Sequence, residues 1–188
     1  MEKKRTKIII IYYYTSLLLS DPGQNAAKYD YNHFISPSIQ LFIDQPFDYA
    51  VMHYHAAMNP AFFVVMAKLK YVFGNDLQAL QIINVGLVFL SLIVFYNSLI
   101  KFGLTPLFAL FYSLPIALSP YLKYSALELN TDHFASAFLI FSMSFLFGAL
   151  KQTGKSKFIY LTVCIMSALI SVYTRQNYLS ALVILLII

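Results

Sequence analysis

Three short stretches hold most of the side chains capable of chemistry. The first is Tyr29-Asp30-Tyr31-Asn32-His33, followed by Asp44, Asp48, His53 and His55. The second is Glu128-Leu129-Asn130-Thr131-Asp132-His133, and the third is Thr174-Arg175-Gln176-Asn177. A carboxylate at such a place can take a proton from a hydroxyl as general base. A guanidinium can grip a phosphate or carboxylate with two N–H groups at once. Each residue also has a plainer role. Asp44 and Asp48 suit solvated loops, Asp132-His133 suits the cap of a helix where free N–H groups need an acceptor, and Arg175 suits an anchor at a helix end. His53-Tyr54-His55 suggests a metal by residue type alone, but alternate residues diverge on a strand and no third ligand stands nearby. No metal site and no cofactor is expected. A Gly-rich phosphate loop, a Ser elbow and a His-Glu-x-x-His helix are all missing from the sequence, so soluble nucleotide chemistry has no support. The single Cys164, within an apolar run, excludes an intramolecular disulfide and a Cys-based metal site and suits packing.

The elements that must position these groups follow from composition. Of 188 residues, 60% are hydrophobic and 11% charged, where a soluble domain carries about 25% charged. So few charges cannot coat a water-exposed globule, but they suffice where lipid covers most of the surface. With no Trp and 15 Tyr, Tyr must supply the aromatic belt at the interface. The net charge of +5 does not point to nucleic acid. The basic residues gather in Lys3-Lys4-Arg5-Lys7 and Lys151/Lys155/Lys157, each beside an apolar run, as cytoplasmic anchors do, and they form no stripe for phosphates to follow.

Five apolar runs and part of a sixth mark helices: Ile8–Ser20, Leu77–Ile100, Leu104–Ser119, Phe134–Leu150, Phe158–Tyr173 and Tyr178 onward. The first is short for a bilayer and doubles as a signal-peptide candidate, with cleavage near Ala26-Ala27. Pro106, Pro115 and Pro120 predict a kink in the third. Asn59–Gly74 is also apolar but too short to span, and Lys68 and Lys70 flank its apolar face of Phe62, Val65, Met66, Leu69, Val72 and Phe73. It reads as a helix lying in the interface, its lysines reaching headgroups. Keeping it outside puts eight basic residues against Glu2 on the inner face and five against seven acids on the outer face, as the positive-inside tendency requires.

The expected fold is therefore an all-α polytopic membrane module, N-terminus cytoplasmic. Residues 1–7 lie inside, 8–20 form the first span, 21–76 an outer loop with interfacial helices, and 77–188 the further spans. Residues 182–188 are all apolar, which suggests the N-terminal part of a longer protein. The three polar stretches then share the outer face at membrane depth, where they could meet a lipid-linked substrate.

The order of these pieces resembles the N-terminal half of GT-C membrane glycosyltransferases, the superfamily of protein O-mannosyltransferases and aminoarabinose transferases. Those enzymes carry an acidic first-loop motif. An interfacial His/Asn-Pro-Pro-Leu-Tyr-Tyr segment ending in Lys-Leu-Phe-Gly comes next, then a Leu-Ser-Pro motif, and then a polar-Asp pair opening the next span. Here Asp30, Asn59-Pro60-Ala61-Phe62-Phe63 through Lys70-Tyr71-Val72-Phe73-Gly74, Leu118-Ser119-Pro120-Tyr121 and Thr131-Asp132 stand in that order. Thr131-Asp132 with Arg175-Gln176-Asn177 is similar to dolichyl-phosphate-glucose α-1,2-glucosyltransferases. Two departures stand out: the usual acidic pair is reduced to Asp30, and Ala61 replaces the second Pro. The resemblance implies transfer of a sugar from a polyprenyl (dolichyl or undecaprenyl) phosphate to an acceptor hydroxyl, in a bacterial inner membrane or endoplasmic reticulum. It implies Asp30 as general base, with Arg175 on the lipid phosphate. Gln176 or His33 would assist, and Asp132 or Glu128 would pair with Arg175 in the empty site. The alternative is a non-catalytic membrane protein: a transporter fragment, or an inactive relative that binds lipid or partner subunits.

Overall fold

The computed structural model describes residues 31–54, 59–74, 77–119 and 129–179, all helical or in short connections. The predicted first span, Asp30, Glu128 and the last apolar run beyond residue 179 lie outside the described residues. A π-helical turn at Tyr31–Ile35 leads into α1 (Ser36–Asp44), then α2 (Phe47–His53), α3 (Ala61–Phe73), α4 (Leu77–Phe102) and α5 (Pro106–Ala117). The hairpin α6 (Thr131–Leu150) and α7 (Gly154–Thr174) follows, and a 3₁₀ turn at Gln176–Tyr178 ends the described chain.

Three stretches, Ala79–Phe102, Thr131–Leu150 and Gly154–Thr174, are long and apolar enough to cross a membrane, with mean hydropathy of 2.2, 1.7 and 1.6. At 1.5 Å per residue each reaches about 30 Å or more, the thickness of the hydrocarbon. How they pack agrees with that solvent. Small and weakly polar residues line the helix contacts. On α4 these are Asn84, Ser91 and Ser98, seven apart; on α6 they include Ala135, Ser142 and Gly148, and on α7 Cys164, Ser167 and Ser171. Large apolar residues such as Leu90, Phe158, Ile159, Ile165 and Leu169 face outward. Water would reject that arrangement, whereas lipid favours it, because small residues let helix backbones approach closely. Most of the buried hydroxyls are satisfied within their own helices: Ser91 donates to the Val88 carbonyl at 2.7 Å, Ser98 to Phe95 at 2.7 Å and Ser144 to Ile140 at 2.6 Å. Ser171 instead crosses to the Ala135 carbonyl at 2.9 Å and ties α7 to α6.

The helices α4 and α6 run parallel, as the pairs Asn84/His133 and Phe95/Phe147 show, and α7 returns antiparallel to α6. Lys101, Lys151, Lys155 and Lys157 therefore gather at one end of the bundle, while Asp132 and Arg175 stand at the other. Two three-residue turns close the lysine end. Gly103 (φ 121°) and Gly154 (φ 58°) take left-handed conformations there that a side chain would resist. The N–H groups of Gly103 and Leu104 both return to the Leu99 carbonyl, at 3.2 and 3.1 Å, and so finish α4.

Two expectations about elements are corrected. The run Leu104–Ser119 is helical only over Pro106–Ala117, about 18 Å, which by itself is too short to cross. Thr105 caps it, and Pro115 sits in its last turn. The helix in Asn59–Gly74 is α3, about 20 Å long and likewise below spanning length. Its buried face is Phe62, Phe63, Met66 and Ala67, whereas Val65, Val72 and Phe73 are exposed. The face turned inward because α3 packs on protein. Phe62 meets Phe134 of α6 at 5.6 Å between ring centres, Phe63 stacks on Phe42 of α1, and Lys70 donates to Gln40 of α1 at 3.0 Å. Lys68 remains exposed.

Candidate functional site

The site forms where α3, α6 and α7 meet, at the end away from the lysines. Leu129 is fully buried in the aromatic-aliphatic cluster of Ile35, Ile39, Phe62, Phe63, Met66 and Phe134, and its backbone is held at φ 52°. A non-glycine residue adopts that conformation only when its surroundings enforce it. Burial of this leucine sets where α6 begins. Asn130, not Asp132 or His133, is the N-cap: its side-chain oxygen accepts from the Asp132 N–H at 3.0 Å. Helix α6 consequently starts three residues before the predicted Phe134, and Asp132 sits in its first turn.

Asp132 pairs with Arg175, in extended backbone one residue past the end of α7. Its Nε lies 2.5 Å from Oδ1 of Asp132, and its Nη2 donates to Oδ2 at 2.8 Å. The side chains are 27% and 18% exposed, so the pair is half-sheltered and yet reachable from outside. Nη2 donates one N–H to the carboxylate while Nε lies against it, and the remaining guanidinium N–H groups can meet a second oxyanion.

Around this pair the chain is tied down by side chains far apart in sequence. Gln176 Nε2 donates to Asn59 Oδ1 at 3.3 Å, and Asn59 Nδ2 donates to the Val172 carbonyl at 3.1 Å. Asn59 thus links the entrance of α3 to both sides of Arg175. The Tyr178 hydroxyl is 2.7 Å from Ser136 Oγ, which holds the 3₁₀ turn against α6. His133, fully buried, has its Nε2 3.2 Å from the Asn84 carbonyl of α4.

Of the residues singled out in the sequence, the structure brings Asp132, Arg175 and Gln176 together. His33 is exposed on the π-helical turn before α1. Beside it, burial raises the pKa of the Tyr31 phenol, partly offset by a hydrogen bond with the Ser36 side chain, so this hydroxyl is no base at neutral pH. Asp44 accepts from Gln40 Nε2 at 3.0 Å on both oxygens, and His53 stacks on Tyr49 with its Nδ1 2.8 Å from the Tyr49 carbonyl. Among the described residues no group of three His, Cys, Asp or Glu side chains could hold a metal ion. Sequence reasoning gave Asn84 and Ser136 no role, Tyr178 only a place in the aromatic belt, and Asn59 only a place in the interfacial motif. Asn84 did carry a signal, as an amide inside an apolar run needs a partner. The link from Asn59 to Gln176 had none.

The fold and site together define a helical membrane protein with a polar cluster at one end of its spans. The chain matches no known protein family, curated protein or solved structure.

Proposed function

We propose that the chain is a GT-C-type glycosyltransferase module, moving a sugar from a polyprenyl phosphate to an acceptor hydroxyl at the face of the membrane opposite its lysines. One observation carries this reading. Asn59, Asp132, Arg175 and Gln176, from three of the motifs that resemble that superfamily, form two adjoining pairs, Asp132 with Arg175 and Asn59 with Gln176, at one end of the helices. A cluster at the end of the spans lies at headgroup level, where the phosphate of a lipid-linked sugar sits. With the lysine end cytoplasmic, as charge bias favours, this face is lumenal or periplasmic.

In the proposed reaction the acceptor oxygen attacks the anomeric carbon as the bond from that carbon to the lipid phosphate breaks. The leaving phosphate gains charge, and Arg175 is the group to receive it, held in place by Asp132. Gln176 and His33 are further candidate donors. Asp30 takes the acceptor proton. The scheme calls for a polyprenyl-phosphate sugar and membrane lipid as partners, and for no nucleic acid.

A non-catalytic reading is favoured by one feature: the guanidinium edge is already filled by Asp132, as in a purely structural lock. Binding of polyprenyl phosphate to the purified protein separates the two. Wild type should bind, Arg175→Ala should not, and Arg175→Lys should bind weakly, because an ammonium cannot reproduce the two-pronged contact. Equal binding by all three removes Arg175 from the phosphate, and no binding by wild type removes the substrate from the proposal.

A further inference from the structure

At the lysine end, on the opposite side of the bundle from the Asp132–Arg175 cluster, α5 and α6 both pack against α4 and leave an open cavity of about 460 Å³ between them. Phe95 and Phe102 of α4, Phe108 and Tyr112 of α5, and Met143 and Phe147 of α6 line it. The volume falls within the range of small-molecule sites, roughly 300–1,000 Å³. Its wall is almost entirely hydrocarbon and aromatic, so water gains nothing by entering, whereas a flexible apolar chain fills it without leaving a void.

The rim supplies the second half of a site. Lys151 Nζ stands over the ring of Phe102, 5.2 Å from its centre, so an ammonium is held beside a wall residue of the cavity. Lys101, exposed, is the neighbour of Phe102 in sequence, and Lys155 and Lys157 open α7 at the same end. Among the described residues no carboxylate shares that end. Asp132 lies at the other end of α6, and Asp44 and Asp48 belong to the α1–α2 layer that packs on α3. An apolar slot with cations and no anions at its mouth complements a molecule with a hydrocarbon tail and a negatively charged head.

We propose that this cavity seats one acyl chain of an anionic phospholipid from the leaflet at the lysine end, its phosphate on Lys151 with Lys101 beside it. The proposal is independent of the transfer reaction, since the site lies at the other membrane face and uses none of its residues. A zwitterionic lipid fits less well, because its choline brings a second positive charge to the lysines. Each lysine near a membrane surface is worth about fivefold in affinity for anionic lipid.

The test is native mass spectrometry of the detergent-purified chain titrated with phosphatidylglycerol or phosphatidylcholine of identical acyl chains. Wild type should retain phosphatidylglycerol at least about fivefold better. Lys151→Gln, an exposed change that leaves packing intact, should erase most of that preference, and Lys151→Arg should restore it. Phosphatidylglycerol carrying a diazirine midway along one chain should crosslink to the peptides containing Phe108–Tyr112 and Met143–Phe147. Equal retention of the two lipids, an unchanged preference in Lys151→Gln, or crosslinks as dense along the outer face of α7 would overturn the site.

Discussion

Arg175 and Asp132 meet edge to edge across the open end of the α6–α7 hairpin, 43 residues apart in sequence, through two nitrogens and two oxygens. The contact fixes the register of two helices whose remaining interface is largely small side chains, joined by the Ser171 bond to the Ala135 carbonyl and the Ser142–Cys164 contact. A pair this sheltered lies between an exposed ion pair, worth about 0–1 kcal/mol, and a buried one whose breakage costs about 3–5 kcal/mol.

Asp132→Ala and Arg175→Ala should each lower stability by about 1–3 kcal/mol, and the double variant should cost less than their sum. Thermal unfolding in one detergent checks this as a double-mutant cycle. Strict additivity would show that the two side chains do not act on each other.

The second prediction concerns Gly148 on α6, over which the Tyr160 ring of α7 lies so closely that an added Cβ would overlap it. Gly148→Ala should destabilise the hairpin by about 1–3 kcal/mol, the usual cost of overpacking. Tyr160→Leu should relieve much of that loss in the double variant. A neutral Gly148→Ala in thermal unfolding would mean that the ring moves aside at no cost.

A third prediction addresses orientation. Cys164 is buried, with its sulfur 3.4 Å from Ser142 Oγ, and its replacement by Ser gives a background free of native thiols. In that background a Cys at Lys155 should resist impermeant reagents added outside cells, and a Cys at Asp44 should react. The reverse pattern would invert the proposed topology.

The fourth concerns the proposed base. Asp30→Asn should cut transfer by roughly 10²–10⁴-fold, the scale expected for a general base, while binding of the lipid-linked donor changes little. Asp132→Asn with the larger loss would move the base to α6.

Hydropathy alone located the three helices long and apolar enough to cross a membrane, because a run such as Ala79–Phe102 is apolar over its whole length. Its hand and partners were not legible: alternating Ser and Leu on α4 reads the same whichever face meets α6. Likewise α3 was recognised as a short apolar helix, yet its inward face was misjudged, since Phe63 and Ala67 face inward only because α1 and α6 are there to meet them. Within the site, Asp132 and Arg175 stood out as charges at the ends of apolar runs. Their pairing was foreseen only as one of two options, Asp132 or Glu128, and the geometry that brings Asp132 to Arg175 depends on the α6 start, where Leu129 is buried and Asn130 is the cap. The Asn130 cap agrees with local propensity; the burial of Leu129 does not follow from it.

The two glycine-closed turns bear on how the protein would meet a protease. Among the described residues, the lysine end offers only residues 103–105 and 151–153 as connections, each too short to be drawn into a cleavage groove while its flanking helices stay folded. In sealed vesicles a protease confined to the lysine side is therefore expected to leave the α4–α5 and α6–α7 turns uncut.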